Sequence, residues 1–138
     1  MNPIEDFGNQ DFKTMNNEVL LSALSTGFDI TGTASGRNDL EVGGRKISGS
    51  AYKLKLGKKD GSGKRSLHHG TMLLDLELGA LGKYLSPNKA KLESKGVDSV
   101  ISRVLNLKEH DPTITHESFC AAVSGQYKEK WAGREINE

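Results

Sequence analysis

A single cysteine in 138 residues, Cys120, excludes an internal disulfide and suits a reducing compartment. Charge of one sign is not in excess. The 19 Lys and Arg against 18 Asp and Glu give a formal net charge of +1, so no overall field draws the chain to nucleic acid or to an anionic membrane. Any phosphate recognition has to be local. Long apolar runs are missing too: stretches such as Met72-Leu73-Leu74 fall far short of a bilayer crossing. The opening Met1-Asn2-Pro3-Ile4-Glu5-Asp6 lacks the basic and apolar regions of a secretory signal, and its acidic residues fit a transit peptide poorly. With 35% hydrophobic residues and 16 glycines, the chain suits one loop-rich domain around a modest core.

What is there is a change of period along the chain. Leu20, Leu21 and Leu24 share one helical face, with Thr14 as a candidate cap and Gly27 as a natural stop, which predicts a helix over Met15 to Ser25. From there the pattern alternates: Phe28 to Thr31, Asp39 to Val42 and Lys46 to Leu56 read as strands, with Gly43-Gly44 as a hairpin turn between the last two. A fourth strand, Ser66 to Leu74, follows a polar loop at Gly57 to Arg65. Short connections between successive strands favour an antiparallel meander. Leu78, Leu81 and Leu85 predict a short helix that starts at Asp75 or Glu77 and stops at Ser86-Pro87; Lys89 to Lys95 is polar and open between helix and loop. Phe119, Val123, Tyr127 and Trp131 recur every four residues in a last helix capped by Thr115, and the tail from Gly133 adds only Ile136 to the apolar set. No internal repeat or domain boundary is visible. The expected class is α+β, with helices packed on one side of an antiparallel or mixed sheet.

Chemistry-bearing residues concentrate between Ser35 and Leu74. Lys46 opens a strand ahead of Ser48-Gly49-Ser50-Ala51, whose small side chains let a ligand approach the backbone. An ammonium there is suited to neutralise a phosphate, although a strand lysine taken alone is more often solvated surface. Asp39 lies across the Gly-Gly turn from Lys46, where a hairpin brings the two to the same end of neighbouring strands; its bland alternative is a turn or strand-start residue. His68 and His69 are adjacent on a strand and point to opposite faces, so they do not jointly chelate one metal. Gly61-Ser62-Gly63-Lys64 lacks the upstream glycine and the following Ser/Thr of a phosphate loop and reads as a flexible hairpin loop. Cys120 sits beside Phe119 with no histidine at i+3 or i+4 and is expected to be a buried packing residue.

The wording of these segments is specific. Asn38-Asp39-Leu40, then Arg45-Lys46-Ile47-Ser48-Gly49-Ser50-Ala51, then His68-His69-Gly70-Thr71-Met72-Leu73-Leu74 resemble, in this order, the motifs of lipoate-protein ligases and lipoyltransferases. Asn-Asp-Leu followed by the lysine motif also looks like the biotin protein ligases, a related superfamily that adenylates a carboxylic acid. Collinear resemblance continues through Asp75-Leu76, Lys95 to Leu107 and Thr113 to Glu117, so that it covers about residues 14 to 131. It implies adenylation of lipoate by ATP with Mg2+ and transfer of the lipoyl group from lipoyl-AMP to a lysine of a lipoyl domain in a 2-oxoacid dehydrogenase or of a glycine-cleavage H protein, or the transfer alone where lipoyl-AMP is supplied ready-made. It also implies roles. Lys46 holds the acyl-adenylate as the catalytic residue, Asn38 and Asp39 contact nucleotide with Asp39 binding the metal, Ser48, Gly49 and Ala51 shape the pocket beside Lys46, and His69 with Thr71 lines the lipoyl tunnel. His68 is expected to be structural. Leu67 departs from the aromatic residue the family often has before the histidine pair, which changes the shape of the pocket end.

Family members also carry an Arg-Arg-x-x-Gly-Gly-Gly-x-Val-x-His-Asp segment upstream, and the longer ligases a C-terminal accessory domain, neither of which is found in these 138 residues. The expectation is therefore a single partial catalytic domain over residues 1–138, a fragment of a longer gene product or a shortened homologue, with an exposed sheet edge and a second chain as one candidate to complete the site. Two rival readings stand beside it. One is ATP-independent octanoyl transfer, which needs an activated thiol that Cys120 does not resemble. The other is a non-catalytic module that recognises a lipoyl domain or a partner subunit. The spelling of Glu93 to Val97 and of Ser102-Arg103-Val104 has a eukaryotic flavour, which favours the mitochondrial matrix; a bacterial source gives the cytoplasm.

Overall fold

A computed structural model describes residues 12–36, 38–55, 57–58, 63, 65–80 and 103–132. The sequence-predicted features at Arg37, Leu56, most of the 57–64 loop, Leu81 to Pro87, Lys89 to Ser102 and the tail from Gly133 lie outside these residues; of the predicted short helix, residues 78–80 are helical.

The first helix, α1, runs Phe12–Phe28, longer at both ends than its leucine spacing predicts. Thr14 lies inside it and is not the cap. Nor is Gly27 the stop. The helix ends at Asp29, which adopts a left-handed conformation (φ 54°) of the kind a short polar side chain tolerates, while its N–H donates to the Ser25 carbonyl and that of Ile30 to the Leu24 carbonyl, both at 3.1 Å. Continuing the helix to Phe28 lets that ring pack on the core, and Ile30 enters the core itself. The expected strand at Phe28 to Thr31 is thus replaced by a helix end and a core plug. The first strand, β1, is Thr33–Ser35.

It is followed by β2 (Asp39–Val42), β3 (Arg45–Lys55) and β4 (Arg65–Met72), antiparallel neighbours in the order β1-β2-β3-β4, which is the expected meander. Gly43 and Gly44 both have positive φ (57° and 75°), as a two-residue hairpin turn whose twist matches the strands requires. The β2–β3 register then slips. Leu40 pairs with Ser48 but Glu41 pairs with Lys46, leaving Ile47 as an extra residue in β3. Because side chains alternate along a strand, the insertion puts two consecutive residues, Ile47 and Ser48, on the core face, where they are 0% and 4% exposed. It also moves Lys46 to the opposite face from the one that simple alternation with Ser48 assigns it.

The core side of the sheet faces α1, which packs against a second helix, α2 (His116–Lys130), whose Phe119 also meets the core. Leu24, Ile30, Leu40, Val42, Ile47, Leu105, Leu107 and Ile114 form one buried cluster. Thr115 caps α2 as expected: the Ser118 N–H donates to Thr115 Oγ1 at 3.1 Å and the Thr115 N–H to Ser118 Oγ at 2.9 Å. Where the two helices meet, a Cβ at Gly27 would lie 3.2 Å from Ala122 Cβ, so the close approach, rather than a helix stop, explains this glycine.

Residues 103–108 close the sheet's core end. Lys46 donates its N–H to the Arg103 carbonyl (2.8 Å) and accepts from Leu105 N–H (2.9 Å), a parallel bridge that makes the sheet locally mixed. Farther along, Leu107 N–H reaches the Leu73 carbonyl at 2.9 Å and Lys108 N–H the Leu74 carbonyl at 3.1 Å. Asn106, buried, clamps the backbone of Leu76 with both ends of its amide, accepting at 2.9 Å and donating at 2.7 Å. Asn106→Ala strands both Leu76 groups, and we expect it to lower the unfolding free energy by about 1–3 kcal/mol. Urea denaturation checks this as a lower midpoint at unchanged slope.

Candidate functional site

The face of the sheet away from the helices carries a groove of about 540 Å³. Its floor follows from the pairing. Gly49 lies opposite Asp39 on one side and Thr71 on the other, and Ala51 lies opposite His69, so these residues share one face. The bulge adds Lys46 to the same face. Asn38, just before β2, is tied down by its carbonyl, which accepts from Ser50 N–H at 2.9 Å and Ser50 Oγ at 3.0 Å. All eight residues singled out in the sequence line this groove: Asn38, Asp39, Lys46, Ser48, Gly49, Ala51, His69 and Thr71. Ser48 differs from the rest in facing the core, where it also borders the cavity on the helix side.

Lys46 Nζ lies 3.0 Å from Asp39 Oδ1, and the two side chains keep 41% and 38% of their exposure. A pair this open is worth little in stability, about 0–1 kcal/mol, and is free to change partners. Asp39 is the one carboxylate among the described lining residues, and the described residues contain no cluster of three or more His, Cys, Asp or Glu that would hold a metal. One carboxylate is too few for a resident metal centre but fits Mg2+ that arrives with nucleotide phosphates, because that ion keeps waters and shares one or two carboxylates with its substrate. Thr71 Oγ1 reaches the Gly49 carbonyl at 3.4 Å across the strands. Leu73 and Val104 complete the apolar wall; neither is legible as a site residue in the sequence, since Val104 reaches the groove only through its long-range bridge to Lys46.

His68 points the other way, as alternation requires. It lines a second cavity of about 340 Å³ between α1, α2 and the back of the sheet, with its ring tilted against Tyr52 (centroids 5.4 Å apart) and its Nε2 buried with no hydrogen-bond partner among the described residues. Burial holds its pKa below the usual 6.5, helped by the charges of Lys13 and His69. Cys120 corrects an expectation: it is exposed, because the stripe of Phe119 and Val123 that faces α1 turns the neighbouring position outward. It also has a histidine on the unconsidered side, His116 at i−4, with Nε2 3.6 Å from Sγ. Of the loop that resembles a phosphate loop, only Gly63 lies within the described residues, in a turn with φ 75°.

The lowered His68 pKa fixes a sign. The unfolded chain binds this proton more readily than the folded one, so the stabilisation is complete above pH 6.5 and is lost as pH falls through the lowered folded value. Asp111 and Glu117, held below 3.8 and 4.5 mainly by the Thr113 hydroxyl and by the helix-start backbone respectively, lose theirs only at lower pH. Thermal melts between about pH 7.5 and about pH 2 are expected to show both losses. His68→Gln removes the upper one and keeps the lower.

The description "Lipoyl protein ligase A/B catalytic domain" matches residues 4–128. A lipoate-protein ligase A of Bdellovibrio bacteriovorus is 44% identical over 130 residues, covering 91% of this chain and 36% of the relative, so the chain spans about a third of that protein's length. Among solved structures, P. falciparum LipL1 in complex with lipoate superposes with a TM-score of 0.70 at 34% identity, over 94% of this chain and 34% of that one. A bi-partite lipoate protein ligase with its E2 lipoyl domain from Thermoplasma acidophilum gives 0.71 at 23% identity, over 94% and 51%. A lipoate-protein ligase A bound with ATP gives 0.66 at 19%, over 88% and 47%. The last two show likeness of fold alone. By the match over most of its length, this chain belongs to the lipoyl protein ligase A/B catalytic domain family.

Proposed function

We propose that this chain is the part of a lipoate-protein ligase that carries the acyl-activating groove, acting in protein lipoylation. The observation that supports it is the gathering of Lys46, Asp39, His69 and Thr71 on one face, around small residues that let a ligand lie against β3. In the proposed reaction a lipoate carboxylate oxygen attacks the α-phosphorus of ATP and pyrophosphate leaves. The ε-amine of an acceptor lysine then attacks the acyl carbonyl, an amide forms, AMP leaves and the amine proton passes to solvent. Lys46 stabilises the negative charge on the acyl-phosphate, where a preorganised cation acts most strongly. Asp39 would hold Mg2+, whose contribution is to offset phosphate charge. His69 and Thr71 form the wall along which the lipoyl chain lies, Ser48, Gly49 and Ala51 shape the pocket beside Lys46, and Asn38 contacts the nucleotide.

The acceptor is a lipoyl domain of a 2-oxoacid dehydrogenase or a glycine-cleavage H protein, and its compartment sets that of the enzyme: the matrix in a eukaryotic source, the cytoplasm in a bacterial one. The unit on 1–138 is part of a catalytic domain, and the remaining walls of the site come from further sequence or from a second chain. The span of about a third of the Bdellovibrio relative supports this.

Intact mass spectrometry of a lipoyl-domain acceptor, incubated with this chain and either lipoate, ATP and Mg2+ or lipoyl-AMP, tests the reading. A lipoyl adduct with ATP shows both half-reactions, and an adduct with lipoyl-AMP alone shows a transferase. Lys46→Ala is expected to slow adduct formation by about 10²–10³-fold, the usual cost of removing one preorganised charge-stabilising group. No adduct from either donor, with folded protein, sinks the catalytic reading for this chain.

A further inference from the structure

Gly49 sits in the interior of β3, where glycine weakens a strand, and its φ is not in the left-handed region, so the backbone itself does not call for glycine. What a side chain there would meet is specific. An added Cβ would lie 3.2 Å from Lys46 Nζ and 3.3 Å from Lys46 Cε, then 3.9 Å from Asp39 Oδ1, with no backbone atom among them. The space left by the missing side chain is therefore the space the Lys46 side chain uses.

The register explains why. Asp39 pairs with Gly49, whereas Lys46 pairs with Glu41 beyond the bulge. To reach Asp39, Lys46 has to fold back along its own strand and cross Gly49. We infer that Gly49 is a positioning residue for Lys46: its bare Cα lets the lysine lie flat across β3 and hold its ammonium against Asp39 in the groove. This rests on the reading of Lys46 as the charge-stabilising group, and it differs from the expectation that Gly49 serves only to let a ligand near the backbone. The crowded atoms are the far end of a flexible side chain, which yields easily. A methyl group at position 49 should therefore move the ammonium and leave the strand intact.

The test labels the amino groups of the folded chain with limiting acetic anhydride and compares Lys46 with exposed Lys128 by peptide mass spectrometry. Pairing with Asp39 shields Lys46, and the variant Gly49→Ala is expected to raise its relative labelling by about two- to fivefold, the size an exposed ion pair allows. Asp39→Asn should give the same rise, and the double variant no more than either alone, since the two changes act on one contact. Melting temperature should stay equal or rise in Gly49→Ala, because a strand-compatible alanine has less unfolded-state freedom to lose. The inference is overturned if Gly49→Ala leaves Lys46 labelling unchanged, if its effect adds to that of Asp39→Asn, or if it lowers the melting temperature. It is also overturned if Asp39→Asn alone leaves Lys46 no more reactive. Labelling needs no ligase activity, so a chain that lipoylates nothing but shows the coupled labelling would sink the functional reading and keep this one.

Discussion

One extra residue in β3 sets the rest of the molecule in order. With Ile47 inserted opposite the Leu40–Glu41 step, the strand satisfies two demands that strict alternation opposes. Ile47 and Ser48 both enter the core, and Lys46 emerges on the same face as Asp39, Gly49 and Ala51. Without the insertion, keeping Ser48 in the core would send Lys46 among the helices, where an unpaired ammonium is too costly to bury. Bulges disrupt a ladder, and this one is held from the far side: the Lys46 N–H and C=O bond to Arg103 and Leu105, and the Ile47 carbonyl accepts from Leu73 N–H at 2.8 Å.

The division of labour between the two faces follows. On one side α1, α2 and residues 105–114 bury the apolar cluster, with His68 and Tyr52 at its margin. On the other, β3 and β4 present glycine, alanine and threonine, a surface with little to pack and room for a ligand to lie flat. Leu67, on this second face beyond His69, is 61% exposed. The peripheral ion pair of Lys108 with Asp75 joins the segments that the clamp of Asn106 joins, and that of Arg45 with Glu109 joins those that the Lys46 backbone bonds join, so both reinforce an alignment already set.

The meander of β2, β3 and β4 was legible because these strands are written in alternating residues between glycines, and α2 because Thr115 and the spacing of Phe119 and Val123 agree. The groove residues were legible as a set through resemblance, not through spacing. Alternation alone would have divided Lys46 from Gly49 and Ala51, and no residue type announces a bulge. The strand expected at Phe28 to Thr31 failed because its two apolar residues satisfy a helix end as well as a strand, and the choice belongs to the core they enter. Cys120 failed for a related reason, since a stripe of every fourth residue says which positions face inward but not how wide the covered arc is. The tie between Lys46 and residues 103–105 joins distant parts of the chain and leaves no local trace.

The open ion pair between Lys46 and Asp39 also bears on which solutes the groove can attract. Two opposite charges 3.0 Å apart look, from a few Debye lengths away, like no charge at all, and the chain as a whole adds only +1. Chloride, free phosphate and stray carboxylates therefore meet a groove whose cation is already answered. Because the pair is open and worth only about 0–1 kcal/mol, water can take the place of the ammonium beside Asp39, so an entering anion competes with a weak partner for Lys46.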